Sequence, residues 1–173
     1  LYIEPTTKCN LNCKMCFRHT WFDEPICDLS LEDFRQVLAT MPKTVETLFF
    51  GGMGEPLFHK DILEMIRLAA ETGADVELLT NGTLLTQEMI RGILKAGLSR
   101  LWISIDDLDT EHFQENSGHN HSALILDNIR CFNRLRHTSA NGVSLGITFV
   151  AMKSNVHQLA YLPFFISQYL IIP

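Results

Sequence analysis

The feature that most restricts the fold is a repeated alternation of short apolar runs, glycine or polar breaks, and helical patterns. The runs suited to strands are Leu1 to Glu4, Thr47 to Phe50, Asp75 to Thr80, Arg100 to Ile105 and Val143 to Ala151. Between them, apolar residues recur at helical spacing. Leu31, Phe34, Val37 and Leu38 follow a Ser30–Asp33 capping pattern. Ile62, Met65, Ile66, Ala69 and Ala70 share one face, with Gly73 as a stop; Met89, Ile90, Ile93 and Leu94 lie within Thr86 to Ala96, closed by Gly97. Ile125, Ile129, Phe132 and Leu135 mark a helix from Ala123 to Arg136. Asn155 is placed to cap a last helix, which Pro163 would kink or end. This order, βαβαβαβαβα, predicts an α/β fold with parallel strands and helices packed outside them. Right-handed crossovers would curl such units into a partial (β/α) barrel, incomplete at the C-terminus.

At 173 residues and 46% hydrophobic content, the chain has the size and the apolar supply of one core domain, 1–173. Its formal net charge of −6, with no basic cluster, speaks against a nucleic-acid partner. The most apolar stretch, Leu159 to Pro173, carries Pro163 and Gln168 and is too short to span a membrane. No charged segment precedes an apolar one, as a signal peptide would require. Five cysteines, three of them within eight positions, do not make a secreted disulfide framework. A reducing cytoplasm is the expected compartment. Both ends look cut, so the expectation is a piece of a longer protein.

Cys9, Cys13 and Cys16 form a C-x3-C-x2-C run just after the first strand. Three thiolates this close can bind a cubane iron–sulfur cluster through three of its irons. A ferredoxin-type cluster takes a fourth cysteine, and none lies near, which leaves one iron open to a small molecule. Zinc is the competing reading, with His19 as a possible fourth ligand. Structural zinc sites, however, usually show paired cysteine or histidine groupings. In parallel α/β folds ligands bind beyond the carboxyl ends of the strands, and four unusual stretches fall at four such ends. They are the cysteine loop, Gly51-Gly52-Met53-Gly54-Glu55-Pro56, Thr80-Asn81-Gly82, and Ser104-Ile105-Asp106-Asp107. Glycines there let backbone approach a ligand closely, and the carbonyls with Glu55 suit an ammonium group. A plain strand-to-helix turn at Glu55-Pro56, a simple Asn81-Gly82 turn, and a capping role for Asp106 are the bland alternatives. Alternation puts Ser104 and Asp106 on one face, which in a barrel is the inside.

Together these motifs resemble the radical S-adenosylmethionine (radical SAM) enzymes, over residues 1 to about 160. The resemblance implies that Cys9, Cys13 and Cys16 hold a [4Fe–4S] cluster and that the open iron takes the amino and carboxylate groups of SAM. One electron then cleaves the sulfonium, and a 5′-deoxyadenosyl radical abstracts hydrogen from substrate. It implies further that Gly52, Met53, Gly54 and Glu55 lie by the methionine amino group. Asn81 falls near the methionyl and ribose groups, and Ser104 and Asp106 at the ribose hydroxyls. Met15 stands where the family usually has an aromatic residue near the adenine; its polarizable sulfur can still pack on a base. The combination C-N-L-N-C-K-M-C with F-G-G-M-G-E-P-L looks like the branch with an added C-terminal cluster domain, close to maturases of tungsten-cofactor oxidoreductases. A peptide, protein or cofactor-precursor substrate and an electron donor such as ferredoxin or flavodoxin are implied. No residue stands out as a substrate acid or base. The rival class is a non-catalytic iron–sulfur electron-transfer or zinc-binding module.

Other chemistry-bearing residues have blander readings. Cys27 and Cys131 read as buried small apolar groups. His112, His119 and His121 fall in a solvated polar loop. His19 and His59 flank the rim and could meet substrate, while Trp21, Phe22 and Asp23 could shape or cover a pocket. Asp23, Glu24, Asp28 and Glu32 read as a solvated acidic patch.

Overall fold

Alternation at period two decides which face of each strand the helices cover. The computed structural model describes residues 1–20, 25–108, 121–138 and 142–169. Trp21, Phe22, Asp23, Glu24, His112 and His119 lie outside the described residues. In chain order the elements are β1 Tyr2–Ile3, α1 Leu31–Thr40, β2 Thr47–Phe50, α2 Ile62–Ala70, β3 Asp75–Thr80, α3 Gln87–Ala96, β4 Arg100–Ser104, α4 Ser122–Arg136, β5 Ser144–Thr148 and α5 Leu162–Tyr169. The strands form one five-stranded sheet in sequence order, with every neighbouring pair parallel. This is the expected α/β partial barrel, an open sheet bounded by β1 and β5.

Local chemistry sets the helix ends. Ser30 Oγ accepts the Asp33 N–H at 3.0 Å to start α1, and Thr86 Oγ1 accepts the Met89 N–H at 3.1 Å to start α3. Gly97 closes α3 at φ 95°, a conformation that suits glycine. Pro163 does not kink or end a helix, contrary to expectation. It stands in the first turn of α5, where its missing N–H would have found no intrahelical partner. The expected Asn155 cap is absent too: its side chain makes no capping bond to the 3-10 turn Val156–Tyr161.

Leu48, Phe50, Val76, Leu78, Leu101 and Ile103 face the helices and are fully buried with Phe34, Ile66, Ile90, Ile93 and Phe132. Burying one such side chain contributes about 1.5–3 kcal/mol, so the fold is held chiefly by this helix-to-sheet layer. The opposite, concave face carries Phe49, Glu77, Leu79, Arg100, Trp102, Ser104 and Gly146. Beyond the core, Leu124, Val156, Tyr161 and Phe164 are exposed apolar side chains. Among the described residues no helix is long and apolar enough to cross a membrane.

On the concave face Trp102 pairs with Gly146 across β4 and β5. The indole Nε1 donates to Glu77 at 2.6 Å, Arg100 pairs with the same carboxylate at 3.0 Å, and its guanidinium lies 5.4 Å from the ring centroid. A Cβ on residue 146 would come within 2.3 Å of the indole ring. Gly146→Ala should therefore cost about 1–3 kcal/mol in chemical denaturation. Adding Trp102→Leu should recover part of that loss. Equal stability of Gly146→Ala and the wild type would show that the ring does not rest there.

Candidate active site

The cysteine loop is pinned where it leaves β1. Leu29 N–H donates to the Pro5 carbonyl at 2.8 Å and Thr7 N–H to the Cys27 carbonyl at 3.0 Å. Thr6 Oγ1 donates to Asp28 at 2.6 Å, and Lys8 Nζ pairs with the same carboxylate at 2.7 Å. Asp28 is exposed, as a solvated acidic residue would be, yet it also serves as a brace, and the Lys8 and Thr6 hydrogen bonds hold its pKa below the ordinary value. Cys27 contributes its backbone and leaves its side chain exposed, which corrects the expectation of a buried thiol. Cys131 is half-buried against the core.

Within the loop all three cysteines are half-buried. Cys9 Sγ accepts the Leu11 N–H at 3.4 Å, and the Cys16 N–H turns back to the Cys13 carbonyl at 3.0 Å. Met15 stands half-buried between Cys13 and Cys16. His19 Nε2 bonds the Cys13 carbonyl at 2.8 Å, so that nitrogen is committed to backbone. His59 is buried and does not face the rim. Its Nε2 bonds the Leu29 carbonyl at 3.0 Å and its Nδ1 accepts the Asp61 N–H at 3.1 Å.

The tip of β2 is built against this loop. Gly52 has φ 135°, and Glu4 Oε1 accepts the Met53 N–H. Gly54 touches the loop's backbone: a Cβ there would fall 2.0 Å from the Thr6 carbonyl oxygen and 2.6 Å from that of Lys8. The Glu55 N–H donates to the Lys8 carbonyl at 2.8 Å. Its side chain turns inward at 2% exposure, accepting from Leu57 N–H at 3.0 Å, Thr80 Oγ1 at 2.7 Å and Asn81 N–H at 2.8 Å. Burial pushes the Glu55 pKa up, against the pull of those three donors. The carboxylate thus fastens the tip of β2 to that of β3 and is not presented to the open rim.

Asn81 carries the link onward. Its Nδ2 donates to Asn10 Oδ1 at 3.0 Å and lies 4.0 Å from Cys9 Sγ, while its Oδ1 accepts the Thr83 N–H at 2.9 Å. Asn10 in turn donates to Thr83 Oγ1 at 2.8 Å. At the tip of β4, Ser104 Oγ donates to Asp106 Oδ2 at 3.2 Å and Asp106 Oδ1 accepts the Val150 N–H at 3.0 Å. Burial raises the Asp106 pKa. The Cys13 thiol is pushed up to about 11, first by burial, then by the charges of Cys9, Cys16 and Asp106. The three thiols and the Asp106 carboxylate therefore share one electrostatic neighbourhood.

A family model described as the Radical SAM superfamily matches residues 3–150. The chain belongs to the radical SAM superfamily. It is 33% identical over 162 residues to the tungsten-containing aldehyde ferredoxin oxidoreductase cofactor-modifying protein of Pyrococcus furiosus, covering 92% of this chain and 45% of that protein. It is 26% identical over 160 residues to the PqqA peptide cyclase of Granulibacter bethesdensis, covering 92% of this chain and 41% of the relative. The chain thus spans less than half the length of these two relatives. Its fold is similar to that of Streptococcus suis SuiB in the crystal structure bound to S-adenosylmethionine. There the TM-score is 0.78 at 20% identity, over 98% of this chain and 38% of SuiB.

In radical SAM terms the donor set can be tested for fit. Among the described residues, no three His, Cys, Asp or Glu side chains are grouped to hold a single metal ion. A cubane spreads its irons over a wider span than one ion. Three half-buried thiols on one loop, with the charges of Cys9 and Cys16 both felt at Cys13, suit that larger group better than a single zinc. Cluster binding would displace the thiol protons, because metal ligation requires thiolates.

Several site-building residues were invisible in the sequence reading. Glu4, Asn10, Thr83, Asn155 and Gln158 carry cross-tip hydrogen bonds. The one available signal was an acidic residue, Glu4, closing the apolar run that leads into the cysteine loop.

Glu55→Gln places an amide N–H against one of three donors, so it should lower stability by about 1–3 kcal/mol in urea denaturation. Unchanged stability would mean the carboxylate is no fastening. Gly54→Ala should separate the β2 tip from the cysteine loop. Its expected signature is a lower iron content per chain after anaerobic reconstitution, together with a loss of about 1–3 kcal/mol of stability. Wild-type iron content in that variant would contradict the close packing.

Proposed function

We propose that this chain is the core of a longer radical SAM enzyme that modifies a peptide, protein or cofactor precursor. The carrying observation is that the tips of β2 and β3 are fastened to the cysteine loop through Glu55, Thr80, Asn81 and Asn10, with Asp106 in electrostatic reach of Cys13. Cys9, Cys13 and Cys16 would hold a [4Fe–4S] cluster with one iron left for SAM. The chemistry supplied by the bound group is one-electron reductive cleavage of SAM, leading to hydrogen abstraction from the substrate.

The chain's own residues bind and orient. The Gly52, Met53 and Gly54 backbone lies beside the cysteine loop, where it can meet the amino group of SAM. Glu55 serves that contact by holding the turn in place. Asn81, at the β3 tip and 4.0 Å from Cys9 Sγ, suits the methionyl and ribose portion. Ser104 and Asp106 offer a hydroxyl and a carboxylate to the ribose, and Met15 an apolar surface to the adenine. The names of the two relatives, one a cofactor-modifying protein and one a peptide cyclase, support the substrate class. A ferredoxin- or flavodoxin-like donor in the cytoplasm would supply the electron.

The full-length protein, reconstituted with iron and sulfide without oxygen, tests this reading. Added SAM should change the EPR signal of the reduced cluster, and dithionite should yield 5′-deoxyadenosine. Replacing Cys9, Cys13 or Cys16 with Ala should abolish both. A fully ligated cluster or a zinc centre would give neither response, and the electron-transfer or zinc-module reading would then stand.

A further inference from the structure

The ladder between β4 and β5 runs as far as the Ile105 N–H, which donates to the Thr148 carbonyl at 2.9 Å. Past that rung, side chains take over. Asn155, with no exposed surface, donates from Nδ2 to the carbonyls of Asp106 at 2.6 Å and Val150 at 2.9 Å, and accepts the Met152 N–H at 2.6 Å. Gln158, 4% exposed, accepts the Leu108 N–H at 2.7 Å and donates to Asp107 Oδ1 at 2.6 Å. One amide therefore grips the peptide of Asp106 and the other grips the next two residues. Asp107 is buried and, by alternation, points away from Asp106.

Among the described residues the Asp106 carboxylate has one donor on each oxygen, Ser104 on one and the Val150 N–H on the other. A carboxylate oxygen accepts more than one hydrogen bond, so both retain capacity for a ligand. The direction in which that capacity points is set by Val150 and by the amides that hold its segment against β4. We infer that Asn155, seconded by Gln158, is a positioning residue that aims the Asp106 carboxylate at the ribose hydroxyls of SAM. This rests on the SAM reading above. Asn155 acts through Asp106 and touches no substrate itself.

Reconstituted full-length protein is titrated with SAM and with its 2′,3′-dideoxy analogue, as wild type, Asn155→Ala, Asp106→Asn and the double variant. Wild type should prefer SAM by about ten-fold, the worth of a charge-assisted hydrogen bond. Asn155→Ala should lose most of that preference, keep its affinity for the analogue, and add little to Asp106→Asn. A general structural lesion would instead weaken both ligands alike. If Asn155→Ala does not fold, Gln158→Ala carries the same titration and the same criteria. A preference that survives the substitution, or losses that multiply with Asp106→Asn, overturns the positioning role and leaves SAM binding standing. Wild type that binds both compounds alike overturns it as well. Wild type that binds neither compound defeats the SAM reading itself.

Discussion

The arrangement of the site depends on one buried carboxylate. Parallel strands are joined by long crossovers, so nothing in the local chain fixes where neighbouring tips stand relative to each other. Glu55 supplies that constraint: it is 2% exposed and shared by Leu57, Thr80 and Asn81. Burying an acid is costly unless its oxygens find partners, and here three donors from two tips converge on it. The same residue's N–H holds Lys8, so one position ties β2, β3 and the cysteine loop together.

The rest divides between two faces of the sheet. Helices cover the face carrying Leu48, Val76, Leu78 and Leu101, and that layer carries most of the apolar burial. The concave face differs in its residue types. Lower down, Glu77, Arg100 and Trp102 form a closed polar and aromatic group; near the tips lie Glu4, Asn81, Ser104 and Asp106. The same strands thus provide both a hydrophobic backing and a polar rim.

Much of this was legible from residue patterns, because the signals involved are local. The cap at Ser30, the stop at Gly97 and the apolar spacing of α4 depend on residues a few positions apart. The cysteine spacing and the four strand-end motifs were equally open to view. Directions of side chains were not. Glu55 faces inward because Thr80 and Asn81, some 25 positions away, offer it donors. Asn155 bonds to Asp106, 49 positions distant, instead of capping the turn it precedes. β5 ends at Thr148, short of Ala151, because the Asp106 carboxylate takes the Val150 N–H. His59 was drawn to the Leu29 carbonyl by a contact spanning 30 positions. Long-range hydrogen bonds have no periodicity, so a sequence does not announce them.

The cysteine loop is braced by backbone contacts at Pro5, Cys27, Lys8 and Gly54. Because one short loop carries all three thiols, any slackening of those contacts displaces the whole set together rather than a single member of it.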